Sequence, residues 1–319
     1  MTTAFPSFVE KNMKAKHVYM KGRNGWGLFY RVEDCLVFFT VYSVLIREMG
    51  LCVLAFSIMF NHIHSLFKDI SESVLKKFQI RLATIFSREY NTEYDRTGPV
   101  FKRRFGRAGK HAMKKIIACI AYIFNNPVAG KLCRLAIQNR WTLLAYKDNP
   151  NPFSNKLVKR RSRHVVRDAL KVVDIYYREG KYLGYATLKR IFSGLTPEEK
   201  QQVIDYIVYK YNFLNYDELE EIFGSFAKAL DVVENIAGNE YDLEDDCGDH
   251  SVYNKLIKHS RSMGYEGPNF DMLPPELIPK ISRMLYAKVD ASADQMRKFL
   301  HLPDPSRPIH KPAHPAVSR

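Results

Sequence analysis

Three groups of residues in this 319-residue chain have types and spacings that can do chemistry. The first is His62-Ile-His64. In a strand, residues i and i+2 point to the same face, so two imidazoles project side by side, which suits a divalent metal. The second is Tyr122 with Asn126. Four residues apart on a helix, they share one face. A tyrosine hydroxyl can attack a group that a metal polarises, and an amide oxygen is a hard third ligand. The third is Phe101-Lys102-Arg103-Arg104-Phe105-Gly106-Arg107, followed by Lys110, Lys114 and Lys115. Arg and Lys neutralise phosphates, and aromatic rings stack on unpaired bases. Each group also has a plainer reading. An H-x-H pair arises by chance, Tyr122 is one of 19 tyrosines, Asn126 before Pro127 is a helix-stop residue, and charge guards exposed strand edges.

The elements that must position these residues are legible as patterns. His17 to Met20 is a short β-type run leading into the turn-rich Gly22-Arg-Asn-Gly-Trp-Gly27. Glu33 and Asp34 before an apolar run, with Gly50 after it, predict a helix over 36–46. Cys52 to Phe60 and His62 to Lys68 read as a pair of strands around Asn61. Ser71 or Ser73 caps a helix carrying Val74, Phe78, Leu82 and Ile85. Val100 to Gly106 reads as a strand, and Lys114 to Asn125 as a helix stopped by Pro127. Asp148-Asn-Pro-Asn-Pro152 reads as a linker. Beyond it the pattern is helical, with Thr196-Pro-Glu-Glu199 as a helix start.

Charge is distributed unevenly. The whole chain carries +15, and residues 1–155 hold 24 basic and 10 acidic residues, a net of +14. Residues 156–195, 196–250 and 251–319 carry +8, −12 and +5. A basic first half points to nucleic acid as partner. The acidic block reads as a solvated helical surface. Five widely spaced cysteines (35, 52, 119, 133 and 247) form no disulfide or zinc-ribbon pattern, which favours a reducing, cytoplasmic setting. The first 16 residues lack the apolar stretch of a signal peptide. Met49 to Phe67 has no charged residue, but Asn61, His62 and His64 within it argue against a membrane span and for a buried strand pair.

The order of these features resembles the REP-associated tyrosine transposases, a branch of the single-tyrosine HUH transposases. Val53-Leu-Ala-Phe-Ser-Ile-Met-Phe-Asn-His-Ile-His-Ser-Leu-Phe67 resembles the strand that ends in that family's P-N-H-x-H-like motif. His17-Val-Tyr-Met-Lys-Gly-Arg-Asn24 is similar to its opening strand and N-R-G-N-like loop. Gly98-Pro-Val-Phe-Lys-Arg-Arg-Phe105 is similar to its G-x-x-F-x-x-R-Y segment, and Ala121-Tyr-Ile-Phe-Asn-Asn-Pro-Val128 to its Y-I-x-x-N-P-V helix. The resemblance spans about residues 10–148. Phe60 stands where the family has Pro, and the family's R-A-G is shortened to Ala129-Gly130.

That resemblance implies an α+β chain. A ferredoxin-like antiparallel sheet with packed helices, the HUH endonuclease core, would occupy 1–150. Beyond about residue 148, where the resemblance ends, the helical pattern itself predicts a mainly α-helical domain over 151–303, with a helix-turn-helix near 277–302, and the Pro-rich composition a flexible tail over 304–319. The resemblance implies a DNA-transposition and recombination enzyme with Tyr122 as nucleophile and His62, His64 and Asn126 holding Mg²⁺ or Mn²⁺. Its partner would be single-stranded, hairpin-bearing DNA held by Arg23, Asn24, Lys102, Arg103, Arg104, Phe105, Arg107, Lys110, Lys114 and Lys115. No membrane partner is implied, and a homodimer is compatible with it. Two other functions compete. A rolling-circle replication initiator shares the His-then-Tyr order, unlike relaxases, which place the Tyr first; no Walker-type helicase motif accompanies it here. A non-catalytic DNA-binding regulator derived from a transposase is the other.

Overall fold

The computed structural model describes residues 13–103, 105–235, 249–274 and 276–303. Arg104, Cys247 and the 304–319 tail lie outside the described residues. The chain is α+β, with one four-stranded sheet and eleven α-helices among the described residues.

The first part runs β1 (Ala15–Lys21), α1 (Val32–Met49), β2 (Cys52–Ile58), β3 (His62–Lys68), α2 (Glu72–Glu93), β4 (Gly106–Lys110) and α3 (Met113–Ala129). The sheet order is β2-β3-β1-β4, with each neighbouring pair antiparallel. This split β-α-β order is ferredoxin-like. α1 and α2 cover one face, where Tyr42 donates to Ser65 Oγ (2.7 Å) and Phe78 meets Phe67 edge-on. α3 crosses the other face and packs on β2, β3 and β4. β2 and β3, covered on both faces, are buried almost throughout. That accounts for the uncharged 49–67 run, and no described helix is long and apolar enough to cross a membrane.

Local chemistry sets most boundaries. Asp34 accepts from the Tyr30 and Arg31 backbone N–H groups and from the Tyr94 and Tyr185 hydroxyls, so the carboxylate starting α1 is buried and fully bonded. The β-branched and aromatic residues of α1 remain helical because that helix buries nearly its whole length. Ser71 caps α2, and Gly50 ends α1 in a left-handed turn.

Two expectations are corrected. The strand predicted over 100–106 lies at Gly106–Lys110 instead. Phe101 makes only an isolated bridge to Gly22, because its ring is drawn into the aromatic core against Phe38 and Phe86. Regular pairing starts at Gly106, where any side chain would overlap the Tyr19 ring. Pro127 does not stop α3, which runs on to Ala129. A proline in the last turn removes one i→i−4 bond there, and the end is closed by Gly130 N–H to Asn126 O (2.8 Å) and Leu132 N–H to Pro127 O (2.8 Å).

The remaining helices are α4 (His164–Arg178), α5 (Tyr185–Phe192), α6 (Pro197–Lys210), α7 (Tyr216–Phe223), α8 (Phe226–Asn235), α9 (Ser251–Ser262), α10 (Leu277–Tyr286) and α11 (Ala293–Phe299). Thr196 caps α6 reciprocally with Glu199, as its sequence signature predicts. α4 to α8 share one buried cluster with the sheet. Asp205 of α6 secures the intervening chain, accepting from Tyr146 OH (2.6 Å), Phe153 N–H (3.0 Å) and Ser154 Oγ (2.8 Å). α9 to α11 form a second cluster that takes in Tyr30 and Phe60. Arg297 of α11 donates to Asn24 O (3.2 Å), and His301 stacks on Trp26 at 4.7 Å. The four described cysteines are free.

Candidate active site

Strand register and the packing of α3 on the sheet gather the first two groups of residues. Along β1, His17, Tyr19 and Lys21 share a face. Tyr19 pairs with His64, and Lys21 with His62, so those side chains share the face that α3 crosses. Tyr122 reaches it from α3: its ring lies 5.6 Å from His64 and 5.9 Å from His17, edge-on to both. Asn126, one turn on, lies beside His62 and donates to Tyr122 O (3.2 Å). The His62 and His64 rings are 4.9 Å apart and perpendicular.

The imidazoles are held from behind. Asn61 Oδ1 is 2.7 Å from His62 Nδ1, and Asn61 Nδ2 donates to Gly25 O (3.0 Å). With its amide nitrogen bonded to a carbonyl, Asn61 presents its oxygen to the ring. An amide oxygen only accepts, so His62 carries its proton on Nδ1 and has its lone pair on Nε2. That Nε2 is buried without a well-formed hydrogen bond. His64 Nδ1 lies 3.0 Å from His17 Nε2, with the two rings stacked. Burial holds the His62 pKa well below its usual range, with His64, His250 and Lys21 adding to the effect and Asn126 opposing it. Burial and then Lys21 push His64 down to about 3. Both rings are therefore neutral at pH 7, the state in which imidazole binds a metal.

The site is closed. His62 is 2%, His64 0% and Tyr122 9% exposed. The wall over His62 is His250, just ahead of α9, with ring centroids 5.7 Å apart. His250 N–H donates to Gly130 O (3.0 Å), and a side chain at 130 would crowd Met59 and the Asn126 carbonyl. A cleft of about 230 Å³ reaches this wall, lined by Met59, Phe60, Trp141, His250 and Asn254 among others.

The expected DNA contacts divide. Arg23, Lys102 and Arg103 are exposed. They come together at the end of the sheet where His62 lies, since Lys102 N–H donates to Lys21 O and Arg23 N–H to Val100 O. Asn24 sits beside them in a left-handed conformation, with its carbonyl taken by Arg297. Lys114 and Lys115 are exposed in the first turn of α3. Two residues depart from that surface. Arg107 pairs with Val18 in the register, on the α1 and α2 face, and its guanidinium binds Glu72. Lys110 is buried at the far end of β4, opposite Ala15. Phe105 is half-buried against Phe101 rather than displayed for stacking.

Sequence reading missed His17, Asn61 and His250. His17 alternates with Tyr19 in the opening strand, and that two-residue step was the available signal. Asn61 reads as a turn residue. His250, at the end of the acidic block, gives no local signal.

No family model matches this chain, and no curated protein sequence matches it. Among solved structures it is similar to one described as a REP-associated tyrosine transposase bound to a REP hairpin. The two share 12% identity with a TM-score of 0.32, over 45% of this chain and 82% of that one.

Proposed function

We propose that this chain is a metal-dependent, single-tyrosine HUH nuclease and strand transferase acting on single-stranded, hairpin-bearing DNA. The observation that carries the reading is the meeting of His62 and His64 from β3 with Tyr122 and Asn126 from α3 on one face of the sheet.

The residues present fit a divalent cation. His62 offers a buried Nε2 lone pair with no well-formed bond, beside the Asn126 amide, and both imidazoles are neutral. His62, His64 and Asn126 would hold it. When bound, it supplies polarisation of the scissile phosphate and stabilisation of its developing charge. All three ligands are uncharged. Among the described residues, no group of three or more His, Cys, Asp or Glu side chains is placed to hold a metal. A DNA phosphate oxygen would add a charged ligand and tighten metal binding further, and imidazole nitrogen favours Mn²⁺ over Mg²⁺.

Tyr122 Oη attacks phosphorus. The Oη–P bond forms, the P–O3′ bond breaks, and the tyrosine proton ends on the departing 3′ oxygen. The products are a 5′-phosphotyrosine and a free 3′-OH, and attack by another 3′-OH reverses the step and joins strands. Arg23, Lys102 and Arg103 hold the backbone beside His62. The test is cleavage of end-labelled hairpin DNA with Mn²⁺: an upstream fragment ending in a free 3′-OH and a downstream fragment bound to the protein through its 5′ phosphate support the reading, and release of a free 5′-phosphate contradicts it.

One observation favours a second reading, a DNA-binding regulator without catalysis: His62, His64 and Tyr122 are all buried, with His250 over His62. Binding of the same DNA without cleavage at any Mn²⁺ concentration would select it.

A further inference from the structure

We propose that His17 and Asn61 are positioning residues for the imidazole pair, each holding one ring by Nδ1 so that Nε2 is the atom offered to a divalent cation. The inference rests on the metal site proposed above and adds the groups that orient it.

The two grips come from different elements and are built differently. Asn61 sits just ahead of β3, and its side chain spans from His62 Nδ1 (2.7 Å) to Gly25 O (3.0 Å). Its own carbonyl accepts from Gly22 N–H (2.8 Å). The angle of the His62 ring is thereby tied to the Gly22–Gly27 loop, which also carries Arg23. His17 belongs to β1, the inner strand beside β3. In the register it pairs with Leu66, so it reaches His64 diagonally. The 3.0 Å contact and the 25° stack at 5.2 Å fix both the position and the tilt of the His64 ring. His17 also touches the Tyr122 ring edge-on, placing ligand and nucleophile against one support. Burying a third imidazole in a sheet is costly unless its polar atoms are used. Groups that hold the far nitrogen of a metal-binding histidine set its tautomer and orientation, and their loss typically weakens metal binding about 10–100-fold.

The experiment is Mn²⁺ binding to the full chain, with Mn²⁺ alone as probe, followed by electron paramagnetic resonance. Wild type is compared with His17→Phe, His17→Gln, Asn61→Ala, Asn61→Asp and His62→Ala, with melting temperature measured on each sample. His17→Phe keeps a ring in the stack and removes the nitrogen, so affinity should fall about 10–100-fold while His17→Gln restores most of it. Asn61→Ala should show the same loss and Asn61→Asp, which keeps the acceptor oxygen, should not; this pair carries the test if His17→Phe fails to fold. Wild-type affinity in folded His17→Phe and Asn61→Ala would overturn the proposal while leaving the metal site intact. Wild-type binding that His62→Ala does not diminish would overturn the site itself, and the positioning roles with it.

Discussion

Toward α1 and α2 the sheet presents Val18, Ile63, Ser65 and Phe67, met by Tyr42, Phe78 and the aromatic cluster around Phe38 and Phe86. Toward α3 the same two strands present His17, Tyr19, His62 and His64. Both faces are buried, but the first gains stability from apolar contact. The second places three imidazoles, two tyrosines and an amide where each must be bonded or pay for desolvation. Stability therefore accounts for the first face, and chemistry is the better account of the second.

The largest effect expected from that contrast is on activity. Tyr122→Phe and His64→Ala should both reduce DNA cleavage to background while leaving the circular dichroism spectrum native. Phe67→Ala, on the other face, should cost about 3–5 kcal/mol of stability and lower activity only as far as unfolding does. If His64→Ala destabilises as much as Phe67→Ala, the histidine face is simply core and the contrast fails.

Acid should act next, through the buried histidines. His64 and His301, both buried, are pushed down to about 3, the latter chiefly by burial and then by Arg96. In the unfolded chain both titrate near the ordinary 6.5. Below that pH the unfolded state binds more protons, so stability should fall steadily as pH drops from about 6.5 toward 3. Denaturant midpoints across this range check it. His301→Gln should flatten part of the slope; an unchanged slope would mean that His301 does not contribute.

Smaller still is the sorting of the basic residues. Arg23→Ala and Arg103→Ala should each weaken DNA binding and lower the slope of log affinity against log salt by about 1. Arg107→Ala, whose partner is Glu72 on the opposite face, should leave the slope alone. Equal effects at all three would place the DNA across both faces.

The sequence made the α3 face legible wherever its logic was local. The i, i+2 step of His62 and His64 and the i, i+4 step of Tyr122 and Asn126 are properties of a strand and a helix. What brings them together is the packing of α3 across the sheet, and what brings His17 to His64 across 47 residues is strand register; no local pattern encodes either. The pattern places β4 too early, over 100–106, because Phe101 is pulled into the core and regular pairing needs Gly106 under Tyr19. Pro127 was read as a stop, although a proline in the last turn costs a single hydrogen bond. Closure of the site by His250 was illegible because it comes from a separate hydrophobic cluster docked on Tyr30 and Phe60.

The central claim is that Tyr122 is a nucleophile, and one measurement addresses it directly. Wild-type protein is incubated with hairpin-bearing single-stranded DNA and Mn²⁺, digested, and its peptides mapped by mass spectrometry. The account predicts a nucleotide-modified peptide carrying the mass on Tyr122, absent from Tyr122→Phe and from His64→Ala. DNA that binds and is recovered whole with Tyr122 unmodified, or an adduct that persists in Tyr122→Phe, would contradict it.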